Sequence, residues 1–227
     1  MSYYDLRDAL AQPGCPVCRL MARNTERYLD GLLWESVNDP GVRHNLRQAQ
    51  GFCHEHAWRL SRAGASLGVA ILMHDVLGSV LKAMESARFQ ALPARSRRRA
   101  HESLVTRLSA RAECPACIQA RQKEEIYLST LNEHLVGEGG LLAAHEASDG
   151  LCLPHFRLAL AIIREEAVFD ALLAAQRTVW GRLAAHLGEF IRKNDYLFRD
   201  EPWGEEGDSW LRALGALSGA KRDTGRA

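Results

Sequence analysis

The sequence predicts an all-α protein made of two helical repeats, and three observations lead to this fold class. A set of cysteine and histidine residues occurs twice in the same register, apolar residues recur at helical intervals, and the alternation typical of strands is scarce. Long segments such as Leu67–Phe89 and Arg157–Ile191 are also rich in Ala, Leu, Arg and Glu, which favour helices.

The internal duplication is the strongest organisational signal in the chain. Cys15 recurs as Cys114, an offset of 99 residues, and the same offset relates every ligand of the first set to one of the second. The register also holds at other positions without a gap, as in the pairs Pro16/Pro115, Glu26/Glu125, Tyr28/Tyr127, Leu29/Leu128, Leu32/Leu131, Gly41/Gly140 and Gly51/Gly150. We therefore expect two pseudo-symmetric repeats.

The repeats divide the chain into four parts. Residues 1–92 form repeat 1 and residues 110–191 form repeat 2, each expected to carry one metal site. A basic linker, 93–109, joins them, and residues 192–227 form a C-terminal capping segment and tail.

Helix starts are predicted at both cysteine elements of each repeat. Pro16 and Pro115 follow the first cysteine of each C-P-x-C element, and proline suits the first turn of a helix. Gly51 and Gly150 interrupt the chain shortly before the C-x-x-H elements, after which helix-forming sequence resumes. Two helix N-termini in each repeat would thus present two ligands each.

Each repeat contains three cysteines and one histidine, a common closed set for structural zinc. Residues three apart at a helix start project toward one ion, and the free N–H groups of the first turn favour thiolates. We expect two zinc ions, with these metal ligands: Cys15, Cys18, Cys53, His56, Cys114, Cys117, Cys152 and His155.

Three other interpretations of the cysteines compete with zinc. An iron–sulfur cluster in each set is the first, because cysteine dominates such sites and histidine substitutes in some. A C-P-x-C dithiol for thiol–disulfide exchange is the second, although the expected βαβ context is missing. Buried core cysteines are the third, but all six cysteines fall in two identical patterns.

Two details of the ligand sets stay open at the level of sequence. His54 offers a second imidazole beside His56, where repeat 2 has Leu153, and a plain surface residue is the favoured interpretation. The pair Cys15 and Cys18 can share an ion with the C-x-x-H element of its own repeat or with that of the other repeat. The spacing alone does not distinguish these two arrangements.

Charge and hydropathy limit the classes of partner. A formal charge of +1 provides no global field for nucleic acid or an anionic membrane. We find no leader pattern and expect no membrane span, so that a soluble cytoplasmic protein is predicted. The basic run Arg95, Arg97, Arg98 and Arg99 has no interleaved aromatics and is interpreted as a solvated linker.

The C-terminal segment has no counterpart in repeat 1. Residues 190–210 concentrate aromatic side chains among charges of both signs, which suits either contact with a protein partner or capping of the second repeat. Capping is favoured, and the candidates for partner contact are Tyr196, Phe198, Arg199, Trp203 and Trp210.

Five segments of the chain carry a resemblance to a known family: CPVCRL with GFCHEHAWRL, CPAC with GLCLPHFRLAL, and FIRKNDYLFRDEPWGEEGDSW. As a set they resemble an uncharacterised bacterial family, a domain of unknown function with duplicated C-P-x-C and G-x-C-x-x-H motifs. The resemblance covers nearly the whole chain and all eight ligands. It implies a bacterial, metal-binding, mostly helical protein.

The sequence therefore favours a non-catalytic zinc module that serves interaction or regulation, because no nucleophile triad, phosphate loop or cofactor fingerprint is present. The alternative is a redox protein with two iron–sulfur clusters or C-P-x-C dithiols. An unidentified protein partner is expected, nucleic acid is disfavoured, and a homo-oligomer is compatible with the sequence.

Overall fold

The computed structural model describes residues 2–85, 102–198 and 200–221. These residues contain helices and no strand, which confirms the all-α prediction. The helices of this part of the chain are α1 (Ser2–Leu10), α2 (Pro16–Trp34), α3 (Pro40–Ala49), α4 (His54–Trp58), α5 (Ser66–Glu85), α6 (Pro115–Glu133), α7 (Leu142–Ala147), α8 (Leu153–Ile162), α9 (Glu166–Lys193) and α10 (Ser209–Ser218). Residues 102–107 are also helical.

The helices repeat with the sequence. α2 and α6 both have 19 residues and begin at the paired prolines Pro16 and Pro115. α4 and α8 begin directly after Cys53 and Cys152, whose backbone angles nearly coincide (φ −64°, ψ 165° and φ −72°, ψ 159°). The duplication predicted from the constant offset is thus present in the backbone.

The chain forms two compact units whose boundaries differ from those of the repeats. Among the described residues, unit 1 consists of residues 2–24 and 122–221 and unit 2 of residues 25–121, each without the gaps named above. Both long helices, α2 and α6, are divided between the units. Each unit therefore combines the start of one repeat with the body of the other.

Each unit has its own apolar core. In unit 1, leucines of α1 and α2 pack with the inner faces of α6, α8 and α9, as Leu6, Leu20, Leu131 and Leu172 show by their burial. In unit 2 the core includes the helices α2, α3 and α5 and the cysteine element at the start of α6; its buried leucines are Leu29, Leu32, Leu33, Leu46, Leu60 and Leu72. These cores hold the helix starts that carry the cysteines.

The helix α5 bears on the expectation that the chain has no membrane span. Within the described residues, α5 is the one helix long and apolar enough to cross a bilayer on length and composition alone. The sequence suggested no such stretch because Gly68, His74, Asp75 and Gly78 interrupt its apolar residues. Asp75 forms ion pairs with two arginines of α3, which ties one side of the helix to unit 2.

Several sequence-based assignments fall wholly or partly outside the described residues. This group contains the run Arg95, Arg97, Arg98 and Arg99, the part of the 93–109 linker up to residue 101, Arg199 and the tail from residue 222. The part of the C-terminal segment that is described packs on α9: Trp203 lies against Phe190, with ring centroids 5.1 Å apart, and Lys193 binds Glu206.

A buried amide in unit 1 fixes the chain just before α8. Gln176 accepts a hydrogen bond from the Leu151 N–H and donates one to the Leu151 carbonyl, both at 3.0 Å. Burial lowers the pKa of His145 and keeps it neutral, so its Nε2–H can donate to the same Gln176 oxygen. Gln176 also faces Gly150, and in unit 2 the residue that faces the matching glycine, Gly51, is Val76.

We predict that Gly150→Ala destabilises the protein more than its counterpart Gly51→Ala. Both glycines have positive φ (65° and 95°), which costs an alanine about 1 kcal/mol. An added Cβ at Gly150 would also lie 2.8 Å from the Gln176 amide nitrogen, whereas at Gly51 it would lie 4.0 Å from Val76. Displacing Gln176 leaves buried polar groups unpaired, for about 1–3 kcal/mol more. Urea unfolding of both variants measures the difference, and equal losses would contradict the argument.

Candidate metal centres

The structure brings the eight predicted ligands together in two groups. Site I contains Cys15, Cys18, Cys152 and His155, and site II contains Cys53, His56, Cys114 and Cys117. Within each group, one donor atom from every residue lies within 4.8 Å of the others. Each group could hold a metal ion.

Each group combines residues of both repeats. The C-P-x-C element of repeat 1 joins the C-x-x-H element of repeat 2 in site I, and the reverse holds in site II. Spacing left this choice open, and the grouping favours sites shared between the repeats over one whole site in residues 1–92 and another in 110–191. The physical reason is that each compact unit is built from both repeats, and each site lies inside one unit.

Four helix N-termini position the ligands in the same way. Cys15, Cys53, Cys114 and Cys152 each directly precede the first residue of a helix, and the second ligand lies three residues later. The first cysteine also accepts the first helical hydrogen bond through its carbonyl, as in Cys152 O with Phe156 N at 2.8 Å. Side chains at these two positions face each other, which is also the geometry of a capping box.

The donor atoms in site I are in close contact. The His155 Nδ1 atom lies 3.1 Å from the Cys152 sulfur and 3.4 Å from the sulfurs of Cys15 and Cys18. The sulfurs of Cys18 and Cys152 are 3.7 Å apart. One nitrogen and three sulfurs therefore surround a common point.

Site II repeats this geometry. The His56 Nδ1 atom lies 3.2 Å from the Cys53 sulfur, 3.4 Å from that of Cys117 and 3.6 Å from that of Cys114. The sulfurs of Cys53 and Cys117 are 3.6 Å apart. His54 is exposed and lies outside this group, with its ring centroid 6.3 Å from that of Trp58.

The electrostatics of both sites favour a cation. Burial, followed by contact with neighbouring cysteines, raises the pKa of Cys15 well above its usual range and raises that of Cys117 to about 12. Hydrogen bonds from Cys15 and Cys152 lower the pKa of Cys18. Without a cation, a group of three cysteines therefore resists full ionisation, since thiolates at this distance repel one another. A bound divalent ion removes that penalty.

Site I has additional partners that sequence reasoning missed. The Glu124 carboxylate lies 2.9 Å from His155 Nε2, on the side of the ring away from the sulfurs. Burial lowers the pKa of His155, but its hydrogen bonds to Cys152, Cys18 and Glu124 outweigh burial and raise it to about 11. The Ala220 N–H, just after α10, donates to the Cys18 sulfur at 3.4 Å. No local motif marks either partner.

A cavity of about 630 Å³ borders site I. Cys15 and Cys152 contribute to its wall together with α9 and α10, and the guanidinium groups of Arg182 and Arg212 also line it. Arg182 donates to the Ser148 carbonyl and Arg212 to Asp208, so both cations already have partners. The cavity therefore lies beside two of the four residues of site I.

The predicted partner contacts of the C-terminal segment are only partly exposed. Tyr196 is open to solvent, whereas Trp203 lies on Phe190 and the Phe198 ring lies 4.4 Å from the Arg192 guanidinium carbon. Trp210 belongs to α10, which packs against α8 and α9. Trp203 and Trp210 nevertheless remain 52% and 48% exposed, so the rest of the chain covers these aromatic side chains only in part.

Comparison with known proteins identifies a family without an assigned activity. The model of a family of unknown function, DUF6062, matches residues 4–224. An uncharacterised 23.9 kDa protein in the xynA 3′ region of Caldicellulosiruptor sp. (strain Rt8B.4) is 25% identical over 182 residues, which cover 80% of this chain and 83% of that protein. No solved structure matches the chain.

The exchanged ligation predicts a specific pattern of metal loss in combined variants. The double variant Cys15→Ser/Cys18→Ser should abolish one site, and so should the double variant Cys152→Ser/His155→Asn. Combining these two double variants should abolish no further site, because all four residues share site I. Combining the first pair with Cys53→Ser/His56→Asn should abolish both. Metal content per chain by mass spectrometry distinguishes these results, and ligation within repeats would give the opposite pattern.

A second prediction concerns the carboxylate behind His155. Glu124→Gln should weaken metal binding at site I about 10–100-fold, because a carboxylate orients the ring and increases its basicity as a ligand. The exposed neighbour Glu125 supplies a matched control, Glu125→Gln. Competition with a chromophoric chelator measures the affinity. If both variants bind metal alike, Glu124 has no such role.

Proposed function

Since the chain belongs to DUF6062, a family of unknown function, we propose its role from the geometry: it is a helical protein with two structural zinc ions that acts as a non-catalytic interaction or regulatory module. Each ion would be held by three cysteines and one histidine, and it would supply folding free energy.

The distances between donor atoms carry this proposal. A tetrahedral zinc ion with Zn–S of about 2.3 Å and Zn–N of about 2.0 Å requires sulfurs ~3.8 Å apart and sulfur–nitrogen distances of ~3.5 Å. The sulfurs of Cys18 and Cys152 in site I are 3.7 Å apart, and those of Cys53 and Cys117 in site II are 3.6 Å apart. The sulfur–nitrogen distances within the two sites range from 3.1 to 3.6 Å. These values support a single ion at each site.

The same distances disfavour an iron–sulfur cluster. A cluster distributes its protein ligands over two or more irons, so ligands on different irons lie farther apart than ligands of one ion. Here all four donors of each group lie within 4.8 Å of one another. The compactness of both groups therefore supports a mononuclear centre.

The absence of an open ligand position supports a non-catalytic role. With four protein ligands, a tetrahedral ion has no place for water or substrate, and such closed sites hold a fold together. The sites join helix starts that are distant in sequence: Cys18 and Cys152 are 134 positions apart, and Cys53 and Cys117 are 64 apart. The ions would thus stabilise each unit, leaving the helical surface for a partner.

The cavity beside site I favours a second candidate, a redox protein that acts through its C-P-x-C dithiols. The pKa of Cys18 is lowered, which increases the thiolate fraction, and Cys15 forms part of the cavity wall. In that case mild oxidation would convert the Cys15/Cys18 thiols reversibly to a disulfide. A protein that holds two colourless ions and resists such oxidation excludes this candidate.

Metal analysis of anaerobically purified protein tests the proposal. We expect about two zinc ions per chain and no visible chromophore. Removing the ions with a chelator should lower the unfolding temperature, because binding energy is folding energy at such sites. Iron with acid-labile sulfide, or full stability without metal, would overturn the proposal.

The adjacent histidines of α4 provide a matched pair for site II. His56→Ala should release one ion and lower the unfolding temperature by roughly 10 °C. In a chain of this size, each kcal/mol of lost unfolding free energy lowers that temperature by about 2–4 °C. His54→Ala should retain two ions and the wild-type melting temperature, because His54 is exposed outside the ligand group. Calorimetry with metal analysis checks both. Equal effects of the two variants would argue against His56 as a ligand.

A further inference from the structure

One face of α5 is apolar and uncovered within unit 2. Leu67, Leu77, Leu81 and Met84 are 72%, 60%, 61% and 47% exposed, although buried Leu72 and Val76 show that the opposite face packs in the core. The exposed side chains follow one line along the helix with alternating spacings of three and four residues; the full line is Leu67, Ala70, His74, Leu77, Leu81 and Met84. We call this line the α5 seam.

The second repeat provides an internal reference for the seam. On these helices the structural offset is 100 residues, one more than the offset of 99 between the ligands. Leu72 corresponds to Leu172 and Val76 to Gln176, since Val76 faces Gly51 as Gln176 faces Gly150. The matching exposed line on α9 contains no large apolar side chain; it reads Ala167, Asp170, Ala174, Arg177, Gly181 and Ala184. A free surface needs no leucines at these positions, so the apolar line on α5 indicates contact with a partner.

The width of the seam indicates the kind of partner. An apolar stripe restricted to alternate three- and four-residue steps is the pattern of a helix–helix contact, whereas a lipid-binding helix has a broad apolar face with many cationic residues beside it. Only Lys82 provides an exposed cation on α5. The seam therefore suits another helix better than a lipid surface.

We propose that the α5 seam is a homodimer interface, in which two copies of α5 pack antiparallel about a two-fold axis between His74 and Leu77. This arrangement places Ala70 opposite Leu81 of the second copy and Leu67 opposite Met84, so small residues meet large ones. A parallel pair would instead oppose Ala70 to Ala70 and His74 to His74, which leaves a gap and places two titratable rings together.

The size of the contact agrees with this arrangement. α5 is ~30 Å long, and contact along it gives an interface of roughly 1,000 Å² in total, at the low end for specific complexes. We therefore expect a reversible dimer that dissociates at micromolar concentration.

Sedimentation velocity of the full chain between about 1 and 200 μM tests the proposal. The wild type should shift from monomer to dimer over this range, and Leu77→Glu should weaken the dimer at least tenfold. Ala174→Glu, on the matching face of α9, should leave dimerisation unchanged. Circular dichroism and metal content verify that each variant folds, so that loss of the dimer is not loss of structure.

A charge-pair variant tests the antiparallel register. In the proposed dimer residue 74 of one copy lies opposite residue 77 of the other, so His74→Lys combined with Leu77→Glu should restore dimerisation. In a parallel pair the same change would oppose like charges, and the double variant would stay monomeric. A wild-type chain that is monomeric at 200 μM, a dimer insensitive to Leu77→Glu, or a monomer whose seam binds phosphatidylcholine or phosphatidylglycerol vesicles would overturn the proposal.

Discussion

The convergence of two helix N-termini on one group of three sulfurs and one imidazole is the constraint on which each unit depends. The positive end of a helix dipole favours a thiolate at its N-terminus, although neither Cys53 nor Cys152 accepts a side-chain hydrogen bond from the first turn. Bringing three such thiolates together is unfavourable because burial and repulsion raise cysteine pKa values, as they do at Cys15 and Cys117. A cation converts that cost into a link between two helix starts.

The exchange of ligands between repeats explains why sequence repeats and compact units differ. If each C-P-x-C element closed on its own repeat, the loops would be short and each repeat would fold alone. Instead the ligands of site I are separated by up to 140 positions, so binding closes a long loop. Loop-closure entropy grows only slowly with length, and a link across a long loop removes more freedom from the unfolded chain than a short one. Each group of donors therefore connects segments that are distant in the chain.

Much of this architecture is predictable from the sequence because the local signals are strong. Proline after the first cysteine and glycine before the second element predicted all four helix starts, and the constant offset singled out the eight cysteine and histidine residues that form the two groups. The exchanged pairing was not predictable, because both pairings use the same elements at the same spacing. Glu124, Gln176 and the Ala220 N–H were missed for a related reason: their roles arise from packing between distant segments, and no motif precedes them.

The two halves share their ligands and differ in what surrounds them, and these differences bear on function. Where site I has Glu124 behind its histidine, the matching position in repeat 1 is the buried Thr25. Where Gln176 clamps the chain before Cys152, unit 2 has Val76, and where α9 exposes small and polar side chains, α5 exposes leucines. The ligand sets repeat because four donors around one ion tolerate little variation in position. The surfaces can diverge freely, so the C-terminal segment lies against unit 1 while α5 in unit 2 retains an apolar face. Two similar groups of donors are thereby surrounded by surfaces that differ, and in the proposed dimer the apolar face of α5 would contact a second copy of the chain.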